Sequence, residues 1–195
     1  VEKKLISHNP TNGIRLSQFD EVTKEILTLK EIQKLAVTSC PNNEVKRAFL
    51  FSCYCGLRWC DVYQLRYKDV DFPARRLTII QQKVQTHSKS AILHLNLNHT
   101  ALKLLQKCNG DREDLVFSLP SYSYTIRILR KWVIDANIRK HITFHCARHS
   151  FITNIMANGA NIKTAASLAG HSTTRHTEKL SLIHISEPTR PLYIS

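Results

Sequence analysis

Phe144-His145-Cys146-Ala147-Arg148-His149-Ser150-Phe151 is the stretch on which the rest of the chain turns. Apolar residues at 144, 147, 151 and 155 recur at the spacing of a helix with one buried face, which predicts a helix beginning at Thr143 and closed by Asn158-Gly159. On such a helix His145 and Arg148 stand three residues apart on one face and can converge on a single group. Phosphate suits the pair. The planar fork of arginine matches two phosphate oxygens and keeps its charge, while histidine is the side chain placed to move a proton near neutral pH. Such a pair also occurs on ordinary surface helices, so its weight depends on the rest of the chain.

Working outward, the same periodicity predicts a mainly α-helical domain. Thr28 followed by Glu31 forms a capping box, and Ile32, Leu35 and Ala36 give the inward stripe of a first helix. Val45, Phe49, Leu50 and Cys53 mark a second helix that runs to Gly56, and Asp61, Val62 and Leu65 mark a short third one. Segments 77–80, 82–85 and 91–95 are β-branched or alternating and predict a small three-stranded antiparallel sheet. Helices follow at about 98–107 and 122–136, the latter with Ile126, Leu129 and Val133 inward. Ile162, Ala165 and Leu168 predict a last short helix ending at Gly170.

Composition narrows the partner. Twenty-eight Lys and Arg against 15 Asp and Glu give a net charge of +13, which favours a polyanion. Residues 121–179 hold nine basic and two acidic side chains, whereas residues 1–25 hold four of each. Arg127, Arg130 and Lys131 stand out as phosphate contacts on the predicted 122–136 helix. No apolar run is long enough to span a membrane and the start lacks a signal-peptide pattern, so the expected compartment is the cytoplasm. The six cysteines fit that compartment as reduced, packed thiols. Cys53, Cys55 and Cys60 lack a paired C-x-x-C unit, and the repeat His141, His145, His149 has no second ligand set, so a zinc site is disfavoured.

Cys55-Gly56-Leu57-Arg58-Trp59-Cys60-Asp61-Val62 upstream, the His145 to Phe151 stretch, and Leu168-Ala169-Gly170-His171-Ser172 downstream occur in an order that resembles the catalytic domain of the tyrosine recombinases, the integrases of phages and conjugative elements. The resemblance covers about residues 29–179. It implies that Arg58 and Arg148 clamp the scissile phosphate with His171 as a third donor, that Asp61 holds Arg58, and that His145 accepts or shares the nucleophile's proton. Lys83, on the predicted hairpin, would protonate the departing 5′-oxygen, with Lys89 as its competitor. Arg175 joins the DNA contacts. It further implies double-stranded DNA as partner, a homotetramer on two sites during strand exchange, accessory DNA-bending proteins and no cofactor or metal. Residues 1–25 then read as a linker from a preceding DNA-clamping domain, and 26–179 as the catalytic domain.

The family's nucleophilic tyrosine is expected about nine residues after His171, where this chain has Leu180. Leucine cannot attack phosphorus. Tyr122 and Tyr124 come too early and read as packing or backbone contacts, and Tyr193 lies in a tail with two prolines and no helical stripe. That tail, 180–195, resembles translated sequencing-adapter read-through and is expected to be non-native. Three other classes compete. A DNA-binding relative without cleavage fits a native Leu180, and a type IB topoisomerase shares the chemistry but less of the spacing. A metal-dependent nuclease needs acidic ligands, and residues 141–171 contain no Asp or Glu.

Overall fold

The computed structural model describes residues 25–80, 92–106, 110–170 and 177–178. Helix α1, Leu29–Val37, starts where the capping box predicts: Glu31 N–H donates to Thr28 Oγ1 at 3.2 Å and Thr28 N–H donates to Glu31 Oε2 at 2.8 Å. Ile32 and Leu35 are buried, while Ala36, at the edge of the stripe, is exposed. The centre of the fold is α2, Asn43–Cys55, buried along most of its length and packed against α1 and three later helices. A helix that is apolar nearly all round belongs in the middle of a bundle.

After α2 come α3, Trp59–Tyr63, a single 3-10 turn and a three-stranded antiparallel sheet ordered β1-β2-β3. Its strands are β1, Val70–Asp71, β2, Arg76–Ile80, and β3, Ile92–Asn96, with Leu77 opposite Leu95 and Thr78 opposite His94. Leu77, Ile79, Leu93 and Leu95 face the core, the alternation expected of a sheet covered on one side. The predicted strand 82–85 lies outside the described residues. The described sheet also includes Val70–Asp71, which pairs with Leu77 and Arg76 and is too short to display a period of two.

Four further helices lie among the described residues: α4, His99–Leu105, α5, Tyr122–Asp135, α6, Phe144–Ala157, and α7, Ile162–Leu168. Leu65 falls beyond the end of α3 but is buried as expected, and Ile126 is only half-buried beside Leu129 and Val133. Phe49 of α2 meets Trp132 of α5 and Phe144 of α6 edge-to-face, with centroids 6.0 and 5.6 Å away, so one aromatic cluster joins the three helices. Among the described residues no helix is long and apolar enough to cross a membrane.

The segment entering the domain is held from the far side. Lys140 Nζ donates to Ile26 O at 2.9 Å and pairs with Glu31 Oε2 at 2.7 Å. Burial works to raise the Glu31 carboxyl, but hydrogen bonds from Lys140 and Thr28 outweigh it and hold the group below its ordinary value. A carboxylate depressed in the folded state stabilises above its unfolded pKa and loses that contribution as pH falls through the folded value. Glu31→Gln is therefore expected to lower the melting temperature at neutral pH and to leave it unchanged in acid below the depressed value. Equal melting shifts at both pH values would count against this pairing.

Candidate active site

Gly56 ends α2 in the left-handed region, at φ +71°. The turn carries Leu57 back into the core, where its carbonyl accepts a hydrogen bond from Ser52 Oγ at 2.7 Å. It also aims the Gly56 carbonyl at α6, where Arg148 Nη1 donates to it at 2.8 Å. A side chain at Gly56 has no room: an added Cβ would lie 2.4 Å from Phe151 Cδ1. The Gly56 turn thus seats Arg148 and, two residues later, launches Arg58 at the start of α3.

Asp61 sits in the first turn of α3, its Oδ2 accepting from the Arg58 backbone N–H at 3.4 Å and lying 3.9 Å from Arg58 Nη1. The second distance is too long for a hydrogen bond, so Asp61 steadies Arg58 without occupying its fork. Trp59 fixes α3 from the other side, its ring packed on Tyr63, Tyr122 and Phe144 with centroids 5.4, 5.2 and 5.0 Å away. Phe144 opens α6, so this contact ties the element bearing Arg58 to the one bearing Arg148.

The electrostatics are unbalanced in one direction. Arg148 is 1% exposed, and burial followed by the charge of Arg58 pushes its guanidinium down to about 9, which leaves it charged at neutral pH. Burial pushes the Asp61 carboxyl above its ordinary value, although Arg58 and Arg148 pull the other way. Two guanidiniums therefore share Asp61 as counter-charge. Arg58 Nη1 and Arg148 Nη2 are buried with no hydrogen-bond partner among the described residues. Unsatisfied charged donors in a low-dielectric setting are costly, and an oxyanion reaching both would remove the cost.

His145 and Arg148 differ in depth. The guanidinium lies under the Gly56 turn, whereas His145 is exposed on the first turn of α6, its ring edge-to-face with that of His149 at 4.4 Å between centroids. His141 precedes the helix and its Nε2 lies 3.4 Å from Arg130 Nη2. Among the described residues no three potential metal ligands converge. A cleft of about 210 Å³ beside the site is lined by Cys60, Asp61, Arg66 and the end of β2 at Ile79 and Ile80. Lys83, Lys89, His171, Arg175, Leu180 and Tyr193 lie outside the described residues.

The Phage integrase family matches residues 25–180, a span that contains the Gly56 turn and the whole arginine pair. The chain belongs to the phage integrase family. A tyrosine recombinase of Pseudothermotoga lettingae is 31% identical over 170 residues, covering 84% of this chain and 58% of that protein. The tyrosine recombinase XerC of Oceanobacillus iheyensis is 26% identical over 187 residues, covering 89% of this chain and 61% of its own length. The chain thus spans about three-fifths of the curated relatives it matches. Among solved structures, the Tn1549 transposon integrase in complex with transposon right end DNA superposes with a TM-score of 0.70 at 20% identity, over 90% of this chain and 67% of that one. The catalytic domain of bacteriophage HP1 integrase gives 0.58 at 21% identity, over 81% and 87%. The fold is that of a tyrosine recombinase catalytic domain.

In this phage integrase domain the basic residues of α5 lie at the surface. Arg127, Arg130 and Lys131 are all exposed, and the Arg127 guanidinium stacks on the Tyr124 ring 4.6 Å from its centroid. Tyr122 packs on Trp59. Cys40, Cys53, Cys55, Cys60 and Cys146 are free thiols, and burial pushes Cys55 up to about 12, so it packs as a neutral side chain. In the sequence Gly56 is the helix stop and the glycine of the Gly-x-Arg element, His149 stands out only in the His141, His145, His149 repeat, and Trp59 carries no signal for the site. The signal for Gly56 was its place two residues before Arg58. The arginine anchored by its carbonyl is 92 residues away in sequence, and nothing local announces it.

Proposed function

We propose that this chain is the DNA-engaging catalytic portion of a site-specific recombinase, which grips a backbone phosphate of duplex DNA between Arg58 and Arg148. The observation that carries this reading is a pair of guanidiniums, that of Arg148 buried and that of Arg58 partly so, each with one buried unfilled donor and with Asp61 as their shared counter-charge. Phosphodiester exchange through a tyrosine places extra negative charge on two non-bridging oxygens in the transition state, and preorganised donors aimed there act more strongly than in water. In that scheme the oxygen of a tyrosine at the place where this chain has Leu180 bonds to phosphorus as the bond to the 5′-oxygen breaks, leaving a 3′-phosphotyrosine and a free 5′-hydroxyl. His145, at the surface one turn before Arg148, takes or shares the tyrosine proton. Lys83, three residues after Ile80 in sequence, protonates the 5′-oxygen. His171 donates to the same phosphate, and Arg127, Arg130, Lys131 and Arg175 hold flanking phosphates. Strand exchange joins four protomers on two sites, with accessory DNA-bending proteins.

Leu180 favours a second reading, a relative that binds recombination sites without cutting them. Covalent capture separates the two. Duplexes enriched by the chain from a random-sequence pool, then nicked to trap adducts, are expected to be retained without a covalent bond. Leu180→Tyr is expected to form a protein–DNA adduct that survives denaturing electrophoresis. Retention with no adduct from Leu180→Tyr would favour the binding-only relative, and no enrichment at all would overturn the DNA reading.

A further inference from the structure

Helix α6 is gripped on two sides. Arg148 reaches the Gly56 turn, and Ser150, two residues on and therefore about 200° around the helix, faces the segment that enters the domain. Ser150 is fully buried. Its Oγ accepts from Leu27 N–H at 2.7 Å and donates to Cys146 O, also at 2.7 Å, so both its hydrogen-bonding roles are used. One turn later Asn154 Nδ2 donates to Leu27 O at 3.2 Å. Both polar groups of a single residue, Leu27, are thus held by side chains of α6, across 123 and 127 residues of sequence. Leu27 itself is buried, and the preceding carbonyl is held by Lys140.

A buried hydroxyl and a half-buried amide spent on one backbone unit fix the rotation and height of α6 relative to the incoming chain. Any rotation of α6 that slackened this clasp would also swing Arg148 away from the Gly56 carbonyl, because both attachments are made by one rigid helix. We infer that Ser150 and Asn154 are positioning residues, which couple the placement of Arg148 in the phosphate clamp to the seating of the Ile26–Leu27 segment. The inference rests on the phosphate reading of Arg58 and Arg148. Its consequence is that a displacement of the chain ahead of Leu27 alters phosphate affinity without any contact between that chain and the phosphate.

Titration of the full chain with inorganic phosphate, followed through the side-chain Nε resonances of Arg58 and Arg148 well below the melting transition, tests this. Ser150→Ala is expected to weaken phosphate binding by about fivefold, a typical coupling between two sites. By linkage, saturating phosphate is expected to slow amide exchange at Leu27 in the unmodified chain by a similar factor. A purely structural Ser150 would lower the melting temperature, leave the folded protein's affinity within about twofold, and leave Leu27 exchange slowed by phosphate no more than that of core amides remote from the site, and that result overturns the inference. Asn154→Ala, at a half-buried position, gives the same comparison should Ser150→Ala not fold, and the Leu27 exchange needs no variant. If the unmodified chain binds no phosphate, the clamp reading fails and the inference with it, an outcome distinct from equal binding by chain and variant.

Discussion

Arg148→Lys will bind inorganic phosphate far more weakly than the unmodified chain. The Arg148 fork does two jobs, with Nη1 on the Gly56 carbonyl at 2.8 Å and Nη2 left for a ligand. A lysine ammonium is a point charge that cannot hold the carbonyl and meet an oxyanion in the fixed geometry of the fork. Losing one charge-assisted hydrogen bond costs about 2 kcal/mol, or roughly 30-fold in affinity. Phosphate titration by calorimetry measures it, and affinity within about threefold of the unmodified chain would remove Arg148 from the clamp. Arg148→Met should behave differently in stability. It deletes a buried charge that sits beside Arg58 and is only weakly compensated by Asp61, at the cost of one hydrogen bond to Gly56. Its melting temperature is expected to match or exceed that of the unmodified chain while phosphate binding is lost, as replacement of a buried charge by an apolar side chain often does. A site tuned to hold charge for a ligand weakens the empty fold.

Gly56→Ala will be strongly destabilising. Forcing a residue with a Cβ into the left-handed region costs about 1–2 kcal/mol. The added carbon would also overlap the Phe151 ring, 2.4 Å from Cδ1 and 2.9 Å from Cε1, and relieving such overpacking costs about 1–3 kcal/mol more. The sum, about 2–5 kcal/mol, is a large part of the stability of an ordinary domain and is read from urea unfolding. The double variant Gly56→Ala, Phe151→Ala opens space and should recover part of the loss attributable to overlap, but not the backbone strain. A shift of only about 1–2 kcal/mol in the single variant would mean that the ring yields freely and only the backbone strain remains, and a smaller shift would overturn both terms. Because the same turn carries the carbonyl that seats Arg148, Gly56→Ala should also weaken phosphate binding in the molecules that remain folded.

Much of this was legible along the chain. Period and caps located α1, α2, α5, α6 and α7, because their buried faces and end signals are local. The Thr28–Glu31 box and the Gly56 stop needed only neighbours in sequence. Arg58, Asp61, His145 and Arg148 could be picked out as one group because the family's motifs keep their order. The sheet was less legible. Strands β2 and β3 alternate and declared themselves, but β1 is two residues long and is a strand only because Leu77 and Arg76 lie opposite it.

Tertiary structure decided what the sequence could not rank. Arg148 and His145 are three residues apart, yet one guanidinium is buried beneath the Gly56 turn and the other side chain stays at the surface, because depth depends on what packs over each turn of α6. That burial raises the Asp61 carboxyl against the pull of two arginines was settled only by the packing around it. Ser150 looked like an ordinary polar residue inside a helix until Leu27, 123 residues earlier, closed on its hydroxyl. Hydrogen bonds across such separations leave no periodic trace, since they depend on where the folded chain returns and not on the residues beside it. The residue types and their spacing determined which chemistry this protein could attempt, and the packing of α2, α3 and α6 decided which donors are held toward it.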